Sequence, residues 1–127
     1  VRQQCGDDRY LSFVYDSLLY KIGMYHTTLE QDASGTIVGS SYGFATARDW
    51  ARFGLLYQQN GKWMNEQILP DDWVRFASTP GDAAPKGEYG AQWWLNAGEK
   101  NNEENRMYPS LSTKVISAEG FEGQYVM

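Results

Sequence analysis

A chain of 127 residues lies within the usual size of one domain and is long enough to bury a core. Its 11 Lys and Arg against 16 Asp and Glu leave a formal net charge of −5, with the bases scattered rather than striped, which argues against nucleic acid or an anionic membrane as partner. One cysteine, Cys5, excludes an intramolecular disulfide and a cysteine-based metal cluster.

The first predicted element is a helix in RYLSFVYDSLLYKIGM (9–24), where Leu11, Val14, Tyr15, Leu18 and Leu19 fall at helical spacing before a break at Gly23. In LEQDASGTIVGSS (29–41) the turn signal at 32–35 precedes the β-branched run Thr36, Ile37 and Val38, and predicts a short hairpin. FATARDWARFGLLYQQNG (44–61) predicts a second helix. Thr46 caps it, Asp49 favours the exposed amides of the first turn, and Asn60-Gly61 stops it. Ala47, Trp50, Ala51, Gly54 and Tyr57 would share its buried face, widened by Phe53 and Leu56, with Gly54 admitting a neighbouring backbone.

ILPDDWVRFAS (68–78) starts another helix near Pro70, with Asp71 and Asp72 in the first turn; it should expose Arg75 and bury Trp73, Val74 and Phe76 or part of that set. STPGDAAPKGE (78–88) and NAGEKNNEENR (96–106) read as loops. EYGAQWWLNA (88–97) alternates with period two, Tyr89, Ala91, Trp93 and Leu95 against Gly90, Gln92, Trp94 and Asn96, and predicts a strand covered on both faces. GFEGQYVM (120–127) reads as the start of another strand. The fold class expected is α+β. So few strands make a poor independent sheet, so partner strands are expected outside the chain.

Catalytic and ligand-binding patterns are sparse. GSSYG (39–43) matches the nucleophile-elbow expression around Ser41, but no histidine follows it, and we read Ser41 as a turn serine. Nothing in the spacing brings Cys5 to His26, the single histidine. Asp71-Asp72 and Glu103-Glu104 read as a helix start and a solvated loop, so no metal and no cofactor is expected. No S-x-x-K occurs, and Ser17 with Lys21, four residues apart, reads as an ordinary helix-surface pair. No run reaches the roughly 18 apolar residues of a membrane span, and residues 1–9 carry no signal-peptide core. Any signal would lie upstream of Val1, so the compartment stays open, with a periplasmic or secreted location compatible.

An ordered set of segments carries a resemblance. A-R-D-x-A-R-F-G (47–54), I-L-P-x-x-W-V (68–74), Y-G-x-Q-W-W (89–94) and YPSLSTKVISAEGFEGQYVM (108–127) resemble the C-terminal half of serine hydrolases of the class C β-lactamase-like family. That group includes penicillin-binding-protein-like esterases, nylon-oligomer hydrolases and related amidases. The stretch 13–41 resembles the family's preceding helix, turn and hairpin, so the resemblance covers nearly all of the chain. It implies that residues 1–127 form one partial domain of the serine β-lactamase or DD-peptidase-like fold, an antiparallel sheet flanked by helices.

The resemblance further implies a parent enzyme that cleaves an amide or ester through an acyl-enzyme. Its S-x-x-K helix and Y-x-N loop would precede this chain, and the rest of the same domain would be its structural partner. The family's third element, a K-T-G or H-x-G sequence, corresponds by position to Phe121, Glu122 and Gly123. Gly123 would let substrate approach the backbone, and Gln124 would offer its main-chain N–H as one oxyanion donor. Phe121 and Glu122 would line the substrate. Phe121 stands where better-known members carry Lys or His, so an amide or ester substrate is at least as well implied as a β-lactam. The same departure keeps open a second expectation, a noncatalytic binding or regulatory module on this fold. The chain alone should be inactive, and marginally stable or self-associating.

Overall fold

The structure, a computed structural model, describes residues 1–99, 102 and 104–127. The expected solvated loop around Glu103 therefore lies partly outside the described residues. Helices and short antiparallel sheets give an α+β fold, divided into two compact units, Val1–Ile68 and Leu69–Met127.

In the first unit, α1 (Arg2–Cys5) and α2 (Asp7–Val14) lead into a π-helical turn, Tyr15–Leu19. The amide of Tyr20 bonds the carbonyl of Tyr15 at 2.8 Å, and that of Met24 bonds Leu19 at 2.8 Å, both five residues apart. This widening rotates the later residues away from a 3.6-residue period. The expected face is corrected: within α2 Tyr10 is buried and Leu11 exposed, and after the widening Leu19, Ile22 and Met24 are buried. Tyrosine hydroxyls tie this segment to the next one. Tyr10 accepts from the amide of Ile37 at 3.1 Å, and Tyr15 accepts from that of Leu29 at 2.9 Å.

β1 (Thr27–Leu29) pairs antiparallel with β2 (Gly43–Ala45) in the register Thr27 to Ala45. The expected hairpin forms the outer part of this arm, where Gln31 bridges Ile37. Its turn is organised by the Asp32 carboxylate, which accepts from the amides of Ser34 and Thr36 at 2.8 and 2.9 Å and from the Ser34 hydroxyl at 2.6 Å. Thr36 to Val38 form no further strand, so the β-branched run contributes only this bridge.

α3 (Ala47–Gln58) begins as expected at Thr46, whose hydroxyl accepts from the Asp49 amide at 3.2 Å. The inward face is nevertheless different. Ala47 and Ala51 are exposed, Trp50, Phe53 and Tyr57 are half-buried, and Asp49 and Leu56 are the residues fully inside. Asp49 is 0% exposed because it is a connector: it accepts from the His26 amide at 2.8 Å, the Thr27 hydroxyl at 3.4 Å and Arg52 at 2.8 Å. These partners satisfy the carboxylate that burial would otherwise penalise. Asn60 and Gly61, with φ of 52° and 78°, end the helix. A two-residue hairpin then joins β3 (Lys62–Trp63) to β4 (Glu66–Gln67), and Lys21 forms an ion pair with Glu66.

In the second unit, α4 (Trp73–Ala77) buries Ala77, leaves Val74 half-buried and exposes Trp73 and Phe76, the latter by 58%, which corrects the expected burial of the two aromatics. No helix or strand interrupts residues 78–88. The expected strand over 88–97 is broken by a turn. Tyr89 bridges Trp94 across Gly90 to Trp93, Gln92 has a φ of 69°, and β5 (Trp94–Leu95) is what remains as strand. Gly90 packs against the end of α4, where a Cβ would lie 2.2 Å from the carbonyl oxygen of Ala77. A close approach therefore decides the Y-G-x-Q-W-W pattern here, ahead of alternation. β5, β6 (Ile116–Gly120) and β7 (Gln124–Val126) form a three-stranded antiparallel sheet in that order. Asn96, expected on a polar loop, is buried; its amide donates to the carbonyls of Tyr108, Leu111 and Ser112 at 3.0, 3.4 and 3.0 Å, and its oxygen accepts from the Tyr108 amide at 2.8 Å.

Candidate active site

Gly120, at the end of β6, pairs with Gln124, the first residue of β7, and Phe121, Glu122 and Gly123 form the loop between them. A three-residue hairpin needs left-handed backbone at its end, and Glu122 and Gly123 supply it with φ of 61° and 81°. The structure thus brings all four site residues proposed from sequence onto one exposed turn. Phe121 is 88% exposed and packs into no core. Gln124 crosses the sheet tightly: its Cβ lies 3.4 Å from where a Cβ on Gly120 would sit. β7 is the last strand in the sheet order, so one of its edges has no strand neighbour among the described residues.

Sequence reasoning missed the polar cluster beside this turn. Within β6, Ser117 is buried, and its hydroxyl donates to Glu119 Oε1 at 2.8 Å. The Tyr108 hydroxyl donates to the same oxygen at 3.0 Å. That bond, with desolvation and the Glu119 charge adding to it, holds the Tyr108 phenol above the usual tyrosine range. Alternation puts Ser117 and Glu119 on one face of β6, but no strand was expected over 116–119, so the S-x-E pattern gave no signal.

The other candidates lie elsewhere. Ser41 sits exposed in a turn followed by β2 rather than by a helix, and the positive φ, 61°, belongs to Tyr42. His26 uses its backbone amide to reach Asp49 and leaves its side chain exposed. The Cys5 thiol reaches the carbonyl of Gly6 at 3.5 Å. Among the described residues, no three His, Cys, Asp or Glu side chains gather as a metal site. Among the described residues, no helix is long and apolar enough to cross a membrane. An open hollow of about 580 Å³ in the first unit is lined by Leu55, Gln59, Lys62, Trp63 and Met64, with Lys62 the charged group among these.

Antiparallel sheets with helices, ending in a glycine-bearing hairpin turn, define an α+β architecture that comparison places more narrowly. The fold is similar to part of a solved structure assigned as a 6-aminohexanoate-dimer hydrolase from Bacillus anthracis, with a TM-score of 0.66 and 25% sequence identity over 88% of this chain. The match covers 27% of that protein, so the chain spans about a quarter of its length. No protein-family profile matches the sequence, and no curated protein sequence matches it significantly.

Proposed function

We propose that this chain is the later part of one serine hydrolase domain of the β-lactamase-like family, whose parent cleaves an amide or ester through an acyl-enzyme. The observation that carries the reading is the fold likeness to a hydrolase over 88% of the chain. The ordered segments 47–54, 68–74 and 89–94 support it independently. On this reading both compact units belong to the same domain, and residues outside the chain supply the nucleophilic serine, with a Lys one helical turn later and a Tyr to move its proton.

In the proposed mechanism, the serine attacks the substrate carbonyl, and the negative charge that develops on its oxygen is met by two backbone amides. One belongs to the serine itself and the other to Gln124. Gly123 keeps the approach to that amide free of a side chain, and Phe121 and Glu122 border the entering substrate. The oxyanion collapses and expels the amine or alcohol, which takes up the proton lost by the serine. Water then attacks the acyl-enzyme, the same amides hold the second oxyanion, and its collapse releases the acid and restores the serine. Because Phe121 offers no cation, a substrate carboxylate gains nothing at this position, and a neutral amide or ester suits the turn at least as well as a β-lactam.

A backbone role has a distinctive signature. In the full-length protein, Gln124→Ala should keep most of the turnover, whereas Gln124→Pro removes the N–H and should lower kcat by about 10²- to 10³-fold. Equal turnover in the two variants, with similar thermal midpoints, would remove Gln124 from the site. If the full-length protein is folded and neither turns over a substrate nor reacts with a serine-directed phosphonate, the alternative of a noncatalytic module on this fold takes its place.

A further inference from the structure

The hollow of the first unit is built from the end of α3 and the hairpin that follows it. Leu55 and Gln59, four residues apart, share one face at the helix end, and Lys62, Trp63 and Met64 complete the lining from β3 and its turn. Its volume of about 580 Å³ lies within the roughly 300–1,000 Å³ of small-molecule sites, and an apolar lining with a few polar groups is their usual composition. None of these residues belongs to the candidate turn.

The hairpin carries backbone strain at this hollow. Met64 and Asn65 are its two central residues; Met64 has a φ of 52°, and Asn65 has no positive φ. A positive φ at the first central residue alone is the geometry that takes glycine there. Methionine in that place costs strain and, at 86% exposed, gains no burial in return. Folding alone favours glycine, and what the thioether adds is an adaptable apolar contact at the hollow.

Charge points to an anion. Glu66, opposite Trp63 in the hairpin register, is neutralised by Lys21. Among the described residues no group pairs with the Lys62 ammonium. The carbonyls that end α3 make no demand on it either. Leu55, Leu56, Tyr57 and Gln59 accept from backbone amides at 2.8–3.1 Å, and Asn60 accepts from the Gln67 side chain at 2.9 Å. The hairpin therefore offers one uncompensated ammonium and the Gln59 amide beside an apolar lining.

That set matches a single negative charge on an alkyl chain. A phosphomonoester, with close to two charges and three acceptor oxygens, would leave acceptors unmet. We propose that the hollow binds a medium-chain alkyl carboxylate, its chain against Leu55, Trp63 and Met64 and its carboxylate at Lys62 and Gln59. The site does not depend on the hydrolase reading.

The test titrates the full-length protein with octanoate, octanol, octylammonium and butyrate, read by calorimetry and by tryptophan fluorescence. Octanoate should bind about five-fold tighter than the alcohol and about ten-fold tighter than butyrate, and octylammonium more weakly than the alcohol. Lys62→Gln should erase the preference for octanoate over octanol. Met64→Gly should keep or raise the thermal midpoint, because glycine relieves the turn, yet weaken octanoate about three-fold. Wild-type indifference between octanoate and octanol overturns the proposal, as does a preference that survives Lys62→Gln or an unchanged octanoate affinity in Met64→Gly. So does failure to bind octanoate at millimolar concentration, the result expected if the rest of the parent covers the hollow. Binding that vanishes once the protein is labelled with a serine-directed phosphonate places octanoate at the nucleophile and also overturns it. Binding that persists after labelling upholds both readings, and binding to a protein that never labels upholds this one alone.

Discussion

At Asp49 the sequence suggested a helix-start acid, and the structure makes it a fully buried carboxylate with three hydrogen-bond donors. It joins α3 to the His26 amide, the Thr27 hydroxyl and Arg52 while being fully buried. Removing it strands two donors and one cation, so Asp49→Ala should cost about 3 kcal/mol in denaturant unfolding and Asp49→Asn clearly less. Position in sequence revealed the cap but not the burial, because the partners at His26 and Thr27 are more than twenty residues away. Asp32 works differently. The Ser34 hydroxyl first, then the amides of Thr36 and Ser34, lower its pKa below the ordinary aspartate value. A lowered folded-state pKa stabilises above the unfolded value and is lost as pH falls through the folded one. Asp32→Ala should therefore lower the thermal midpoint at pH 7, and the gap from the wild type should close as pH drops below about 4. A gap that stays constant down to pH 2 would contradict this account.

Elements were legible where local signals dominated. The Thr46 cap, the Asn60-Gly61 stop and the turn at Asp32 all appear where the residues put them. Faces were less legible. The π-helical turn at Tyr15–Leu19 shifts the periodicity that Leu11 to Leu19 implied, and no residue pattern announces such an insertion. In the aromatic stretch 88–97, alternation predicted one strand, whereas contact between Gly90 and the end of α4 makes a turn. Gly90→Ala tests that cause directly: a Cβ 2.2 Å from the Ala77 oxygen forces the backbones apart and should cost about 1–3 kcal/mol. Gly39→Ala, where a Cβ would meet nothing within 4 Å, is the control and should stay within about 0.5 kcal/mol of the wild type. The candidate turn was legible as glycines around Phe121 and Glu122. The Tyr108–Glu119–Ser117 cluster was not, because Tyr108 reaches Glu119 through a loop that Asn96 holds in place.

Across the whole molecule, surface area bears on the central reading. The chain exposes 9091 Å². A compact monomer of 14.5 kDa would expose about 6,900 Å², and even two separate compact bodies of half that mass about 8,300 Å². The large apolar side chains Phe44, Trp73 and Phe76 are exposed on this surface. The proposed function accounts for this surplus as surface that the rest of a larger domain would bury, and the match covers 27% of the solved hydrolase. The most direct measurement is labelling of the folded full-length protein with a fluorophosphonate, followed by peptide mapping by mass spectrometry. The account predicts covalent modification of a single serine outside residues 1–127, followed by a Lys three positions later, with labelling blocked by an amide or ester substrate. An unlabelled folded protein, or a label carried by Ser41 or another serine of this chain, would contradict it.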